Sequence, residues 1–233
     1  MQYLEGFREQ DLSKMISAYS VETCIDRIDM KAALERIGAY APNMIPIMPN
    51  SGGMLREINI EVRKNQIIRT ILWQMTSICL PGLDFTQIIP ISRDDESDPA
   101  AAFVEGIEEA FKAVDFGTLT LLQFTPPEQI SEFYMSERNQ QNLKAQVAPY
   151  GGEEIRSVIA LFMVDEQFCA LACDAIRYGD RWYMHQPYSN IAVLAGVNMP
   201  NGILSVPKEN LVQIMGELDA PLRDMIADVF KLN

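Results

Sequence analysis

The sequence has one histidine, His185, and four cysteines among its 233 residues. A single imidazole excludes zinc sites with several histidines, the two-histidine facial triad and the HExxH motif. The glycine patterns GxGxxG, GxxxxGK[ST] and GxSxG are also missing. We therefore predict no cofactor and no metal site, and no motif assigns a reaction.

Positive charge is also scarce, with 19 Lys and Arg residues against 32 Asp and Glu residues and a net charge of −13. Such a field repels phosphate backbones and anionic lipid headgroups, so we expect no nucleic-acid or membrane-surface partner. The longest uncharged stretch, 182–207, is interrupted by Pro187, Gly196 and Pro200. A spanning helix needs roughly 20 uninterrupted apolar residues, so no membrane insertion is predicted.

The sequence begins with the charged helical text YLEGFREQDLSKM directly after Met1. A secretory leader would instead show a basic region followed by an apolar one. This favours a cytoplasmic protein by default. The alternative is an extracytoplasmic or lipoprotein domain whose leader has been removed.

The four cysteines, Cys24, Cys79, Cys169 and Cys173, show no CxxC spacing, and we expect buried free thiols. Cys169 and Cys173 share a predicted strand, where they would lie roughly 13 Å apart, beyond the reach of a disulfide. Cys24 with Cys79 is then the one pairing to test.

The length and a hydrophobic content of 48% allow a sizeable core. We expect a single globular domain, or two joined lobes with a mainly helical part at 1–113 and an α+β part at 114–233.

Apolar residues at steps of three to five predict helices through the N-terminal half. The expected segments are a helix at 2–19, a helix at 21–40, a proline-rich loop at 41–53, a long helix at 54–78 and a helix at 100–114. The acidic run 92–98, SRDDESD, lacks EF-hand spacing. Because Asp98 precedes Pro99, the acidic run favours the start of a helix, and cation binding is the alternative.

A three-stranded antiparallel meander is predicted at 155–164, 168–178 and 181–186, because apolar strand-like text is separated there by short polar turns. Residues 165–167 form the first link, and Gly179-Asp180 suits a two-residue hairpin turn. Around the meander we expect strands at 117–124 and 202–206, and helices near 126–134 and at 136–148, 207–216 and 220–232. The predicted fold class is α+β, with N-terminal helices packed on this sheet.

The first two strands of the meander are apolar on both faces, which indicates that both faces are covered. Helices can cover one face. The other must meet a further helix, a partner subunit or an apolar pocket. Four small side chains leave room there: Ala170, Ala172, Cys173 and Ala175.

Two stretches carry a family resemblance, YGDRWY at 178–183 and FREQDLSKMISAY at 7–19. Together with helices that precede an antiparallel meander, they resemble the nuclear-transport-factor-like or SnoaL-like cone, also called the cystatin-like superfold. That superfold includes polyketide cyclases, steroid isomerases, dehydratases and non-catalytic binding modules. The resemblance therefore implies a fold rather than a reaction.

We interpret the sequence as a small-ligand-binding or protein-interaction domain without catalysis, with a small apolar ligand or a homodimer partner against the covered sheet face. The expected ligand-binding residues are Ala172, Asp174, Ile176, Trp182, Tyr183 and His185. The alternative is a lyase, isomerase or hydrolase in which Asp174, Tyr183 and His185 act as acid/base groups. Each of these residues also has a structural explanation. Asp174 could pair with Arg177 or Arg181, His185 could have its hydrogen bonds satisfied, and Trp182 and Tyr183 could be core or edge aromatics.

Overall fold

The computed structural model describes residues 1–29, 53–81, 99–186, 189, 191, 199–216 and 220–230. The predicted loop before Gly53, the rest of the helix expected at 21–40 and the acidic run 92–98 lie outside these residues. Among the described helices, none combines the length and the apolar character that a bilayer crossing requires.

Five antiparallel strands form one sheet: β1 Thr120–Thr125, β2 Glu154–Val164, β3 Gln167–Tyr178, β4 Arg181–Gln186 and β5 Ile203–Pro207. Their order is β1-β2-β3-β4, and β5 pairs with the first half of β3 on the edge that β4 occupies further along. The predicted α+β class and the predicted meander are confirmed.

Two tight turns set the register of the meander. Val164 pairs with Gln167, so the first turn has two residues rather than the three expected, and Asp165 takes a left-handed conformation at φ 49°. The second turn has Gly179 at φ 63° between the paired Tyr178 and Arg181. Glycine suits this position because it has no Cβ to clash at positive φ.

The described helices are α1 Gln2–Glu9, α2 Leu12–Ser17, α3 Val21–Arg27, α4 Gly53–Cys79, α5 Pro99–Ala113, α6 Glu137–Val147, α7 Leu211–Met215 and α8 Ala220–Phe230. Helices α4, α5 and α6 confirm predictions to within about one residue. The strand expected at 117–124 begins only at Thr120, because Phe116–Thr118 forms a 3₁₀ turn capped by the Asp115 side chain. The helix expected at 207–216 is a 3₁₀ turn, Lys208–Asn210, followed by α7.

The helix expected at 2–19 is in fact two helices. Gln10 ends α1 in the left-handed region at φ 52°, and the Asp11 carboxylate caps α2 by accepting a hydrogen bond from Lys14 N at 3.0 Å. The helix expected at 21–40 also ends early. Ile28 is extended, and Asp29 N donates to Pro149 O at 2.8 Å instead of continuing α3.

Each face of the sheet has its own buried layer. We call the side of Ala160, Phe162 and Leu171 the front face, and the side of Ile159, Leu161 and Phe168 the back face. The front face packs in one cluster with core residues of α1, α2, α3 and α4. The back face packs with residues that include Ile130, Tyr134, Ile191, Leu211 and Ile226. Elements of the chain itself therefore cover both faces, as the apolar strands predicted.

All four cysteines are buried free thiols, as expected, so Cys24 and Cys79 form no disulfide.

Gly6 and Met15 approach closely at the corner between α1 and α2. A Cβ added at Gly6 would lie 2.6 Å from Met15 Cγ and 2.9 Å from Met15 N. Since backbone atoms cannot move aside cheaply, we expect Gly6→Ala to lower the free energy of unfolding by about 1–3 kcal/mol. Denaturant unfolding followed by circular dichroism measures the change.

Gly106 in α5 is the matched control, because a Cβ there meets no atom within 4 Å. Gly106→Ala should stabilise the protein by about 0.5–1 kcal/mol through helix propensity. Equal stability changes in the two variants would contradict the close packing of the corner.

Candidate functional site

A cavity of about 430 Å³ lies between the start of α1 and the front face of the sheet. Its floor is made by strand residues that share this face: Val158, Ala160, Leu171, Cys173, Ala175 and Met184. Tyr3 and Leu4 of α1, together with Ala18, form the opposite wall. The cavity is therefore a gap between the helical layer and the sheet.

The strand pairing explains why space remains there. Ala160 pairs with Leu171, Val158 with Cys173, and Ala175 with Met184, so each pair sets a small side chain beside a larger one. Further along the front face, Phe162 and Val164 are large enough to fill the interface with the helices. The side chains of Ala160, Cys173 and Ala175 are too short to do so.

Two aromatic side chains, Phe124 and Trp182, also line the cavity and are 43% and 42% exposed. Arg156 and Arg177 lie over the Trp182 ring, with their guanidinium carbons 5.6 and 6.0 Å from its centroid. Both arginines form ion pairs with Glu154. These contacts place Trp182 against charged residues at one side of the cavity.

The Cys173 thiol on the floor and the Tyr3 hydroxyl on the wall are neutral at physiological pH. Burial, and secondarily the nearby Asp174, raises the pKa of the Cys173 thiol to about 12. Burial likewise raises the pKa of the Tyr3 and Tyr19 hydroxyls. A thiol that stays protonated is a poor nucleophile.

Tyr3 and Tyr19 lie edge to face, with ring centroids 5.6 Å apart. The Tyr3 hydroxyl donates to Gln74 Oε1 at 2.6 Å. The Tyr19 hydroxyl is buried beside Tyr3, and none of the described residues offers it a hydrogen bond of good geometry. Leaving such a group unsatisfied costs about 1–3 kcal/mol.

The predicted residue Asp174 lies on the back face, away from this cavity. The Ser157 hydroxyl donates to Asp174 Oδ1 at 2.7 Å, and Ser189 also hydrogen-bonds to the carboxyl. Ser157 N in turn donates to the Tyr134 hydroxyl oxygen at 2.8 Å. Burial raises the pKa of Asp174 despite these bonds. Its partners are thus serines, and not the arginines that the structural explanation proposed.

His185 is buried at the end of β4, where the pairing with β3 shifts register between Asp174 and Ala175. Its ring packs against Tyr150 with centroids 4.3 Å apart, and its carbonyl oxygen accepts a hydrogen bond from Arg63 at 2.5 Å. Burial, and secondarily the charge of Arg63, lowers the pKa of His185 to about 3. The imidazole is therefore neutral over the physiological range.

The six predicted ligand-binding residues are divided between the two faces. Trp182 is on the front face and lines the cavity. Tyr183 borders the cavity but pairs with Ile176 and packs with the back-face residues Ile176 and Tyr178, its ring centroid 6.2 Å from that of Tyr178. Ala172 and Ile176 are buried in the back-face packing, on the same side of β3 as Asp174. The acid/base role of Asp174, Tyr183 and His185 stays a prediction.

Sequence reasoning missed the wall of the cavity, Tyr3, Leu4, Ala18 and Phe124. Its floor carried a readable signal, since Cys173 and Ala175 are small residues of equal parity on one strand. The wall had none, because helical periodicity does not say which part of a sheet a helix covers. In the described parts of the chain, no group of three His, Cys, Asp or Glu side chains is arranged to hold a metal ion.

No family model matches the sequence, and no curated protein matches it. Among solved structures, the chain is similar to a cystatin-like protein from Ruminococcus gnavus ATCC 29149, with 13% identity and a TM-score of 0.46. The similarity covers 88% of this chain and 42% of that one, so this chain spans less than half the length of that protein. The likeness concerns the fold alone.

The buried imidazole predicts how stability depends on pH. An unfolded histidine takes up a proton near pH 6.5, whereas His185 in the fold does so only near pH 3. Its contribution to stability is therefore present above pH 6.5 and is lost as the pH falls toward 3. From pH 7 to pH 5, the wild type should lose about 2 kcal/mol more unfolding free energy than His185→Gln.

Denaturant unfolding of both proteins at the two pH values measures this difference. The carboxylates of the chain titrate in both proteins, so their effect cancels in the comparison. Equal losses in the wild type and the variant would show that His185 is not held neutral by burial.

Proposed function

We propose that this protein binds a small apolar ligand in the cavity between α1 and the front face of the sheet, without catalysing a reaction. The cavity itself carries the proposal. Its volume of about 430 Å³ lies within the roughly 300–1,000 Å³ of typical small-molecule sites. It also lies against a sheet face where several side chains are small.

The chemistry of the floor supports an apolar ligand. Val158, Leu171 and Met184 are apolar, and the Cys173 thiol stays protonated because its pKa is about 12. Burying a charged ligand group against such a surface would cost far more than burying a hydrocarbon or an aromatic ring. The ligand class is therefore a neutral molecule that is mostly hydrocarbon, with few polar atoms.

Phe124 and Trp182 support a binding role as well. Both are large and exposed although they border an apolar cavity. A ligand seated on the floor would cover part of each ring, and burying aromatic surface contributes roughly 25 cal/mol per Å². Trp182 is also a built-in reporter, since the only other tryptophan, Trp73, is on α4.

The test is a titration with a neutral apolar probe, N-phenyl-1-naphthylamine, in a Trp73→Phe background so that Trp182 alone reports. We expect saturable quenching of Trp182 emission together with enhanced probe emission. Ala175→Phe should weaken probe binding at least about tenfold, because the added ring occupies the floor of the cavity.

Ala113→Phe is the matched control, because Ala113 is exposed at the end of α5, outside the cavity lining. It should leave binding unchanged. Circular dichroism confirms that both variants are folded. Absence of saturable binding in the background protein, or equal binding by the two phenylalanine variants, would refute the proposal.

A further inference from the structure

Helix α4 exposes a row of large apolar side chains on the side that faces away from the core. Their exposed fractions lie between 38% and 71%, and the residues are Met54, Ile58, Val62, Leu72 and Trp73. The opposite side of the helix holds Ile60, Ile67, Ile71 and Ile78, which are all buried. None of these exposed residues lines the proposed cavity.

At 100° per residue, these five side chains lie on one side of the helix, together with the exposed Glu61, Asn65 and Arg69. We call this set the α4 stripe. From Met54 to Trp73 it is about 28 Å long at 1.5 Å per residue. One turn further on, Thr76 is buried and ends the stripe.

Charge is distributed unevenly along the stripe. Glu61 lies in its first half, and Arg69 lies in its second half. In the described part of the chain Arg69 forms no ion pair, whereas Glu61 pairs with Lys64 at 3.1 Å on the exposed surface. Exposed pairs of this kind are worth little, so Glu61 remains available to a second cation.

We propose that a second copy of this chain packs on the α4 stripe, with the two α4 helices antiparallel and a two-fold axis at Asn65. About that axis Ile58 faces Leu72 of the other copy, and Glu61 faces Arg69. These two facing pairs, one apolar and one of opposite charge, each occur twice about the axis, as a two-fold interface requires. A parallel pairing would instead place Glu61 against Glu61 and Arg69 against Arg69.

The size of the stripe sets the strength of this contact. Its length of about 28 Å and a helix width of about 10 Å give a footprint of roughly 300 Å² per copy. Stable interfaces bury about 800 Å² per partner, so α4 pairing should give a weak dimer that depends on concentration. The stripe lies outside the cavity lining, so dimerisation and ligand binding can fail independently.

Sedimentation velocity of the full chain from about 1 to 300 µM tests the association. We expect the dimer fraction to rise with concentration in the wild type, and Ile58→Lys to weaken the dimer at least about tenfold. Val212→Lys is the matched control, since Val212 is a 67% exposed apolar residue on α7. A protein that is monomeric throughout, or a dimer that survives Ile58→Lys, overturns the proposal.

A charge exchange tests the antiparallel register. Arg69→Glu should weaken the dimer because it places a second carboxylate against Glu61 of the other copy. The double variant Glu61→Arg with Arg69→Glu should restore association toward the wild type, since it returns opposite charges to the facing positions. A dimer that the double variant fails to restore overturns the antiparallel register.

Cysteine crosslinking gives a second readout of the same register. Helices packed 8–10 Å apart bring Cα atoms at the two-fold axis within disulfide reach, so Asn65→Cys should crosslink to itself under mild oxidation. Gln213→Cys, at an exposed site on α7, should not. Crosslinking at position 213 but not at position 65 overturns the register, and unfolding curves confirm that every variant is folded.

Discussion

Strand β3 is the element on which the rest of this structure depends. It pairs with β2 along one edge and with β4 and β5 along the other, and most of its side chains are buried. A strand so enclosed must have its backbone N–H and C=O groups satisfied by neighbouring strands, because water cannot reach them. It must also carry apolar side chains on both faces, which is why two layers of the chain pack against the sheet.

Neither layer fills its face completely. On the back face, Ile159, Leu161 and Phe168 meet side chains from segments on both sides of the meander in sequence, and a cavity of about 320 Å³ lies nearer Ile155. On the front face, the helical layer follows the α1–α2 corner, where Gly6 and Met15 approach closely. Beyond that corner, Cys173 and Ala175 of β3 border an unfilled space, which is the cavity.

The second edge of β3 explains the buried polar residues. β4 reaches Gln186 opposite Asp174, and β5 begins with Ile203 opposite Leu171. Between these pairings, β3 has no strand partner on that edge among the described residues. Ser157 and Ser189 satisfy the Asp174 carboxyl at this break, while His185 packs on Tyr150. These groups therefore have structural partners whether or not they have a further role.

By itself, the sequence determined the meander, its Gly179-Asp180 turn, the long helix α4 and the burial of both sheet faces. Periods of 2 and 3.6 residues report which side of an element is apolar, and these signals are local. Tertiary structure decided the break at Gln10, the end of α3 at Ile28 and the cavity wall. Each depends on a contact between residues far apart in sequence or on an irregular backbone angle, and no local pattern encodes either.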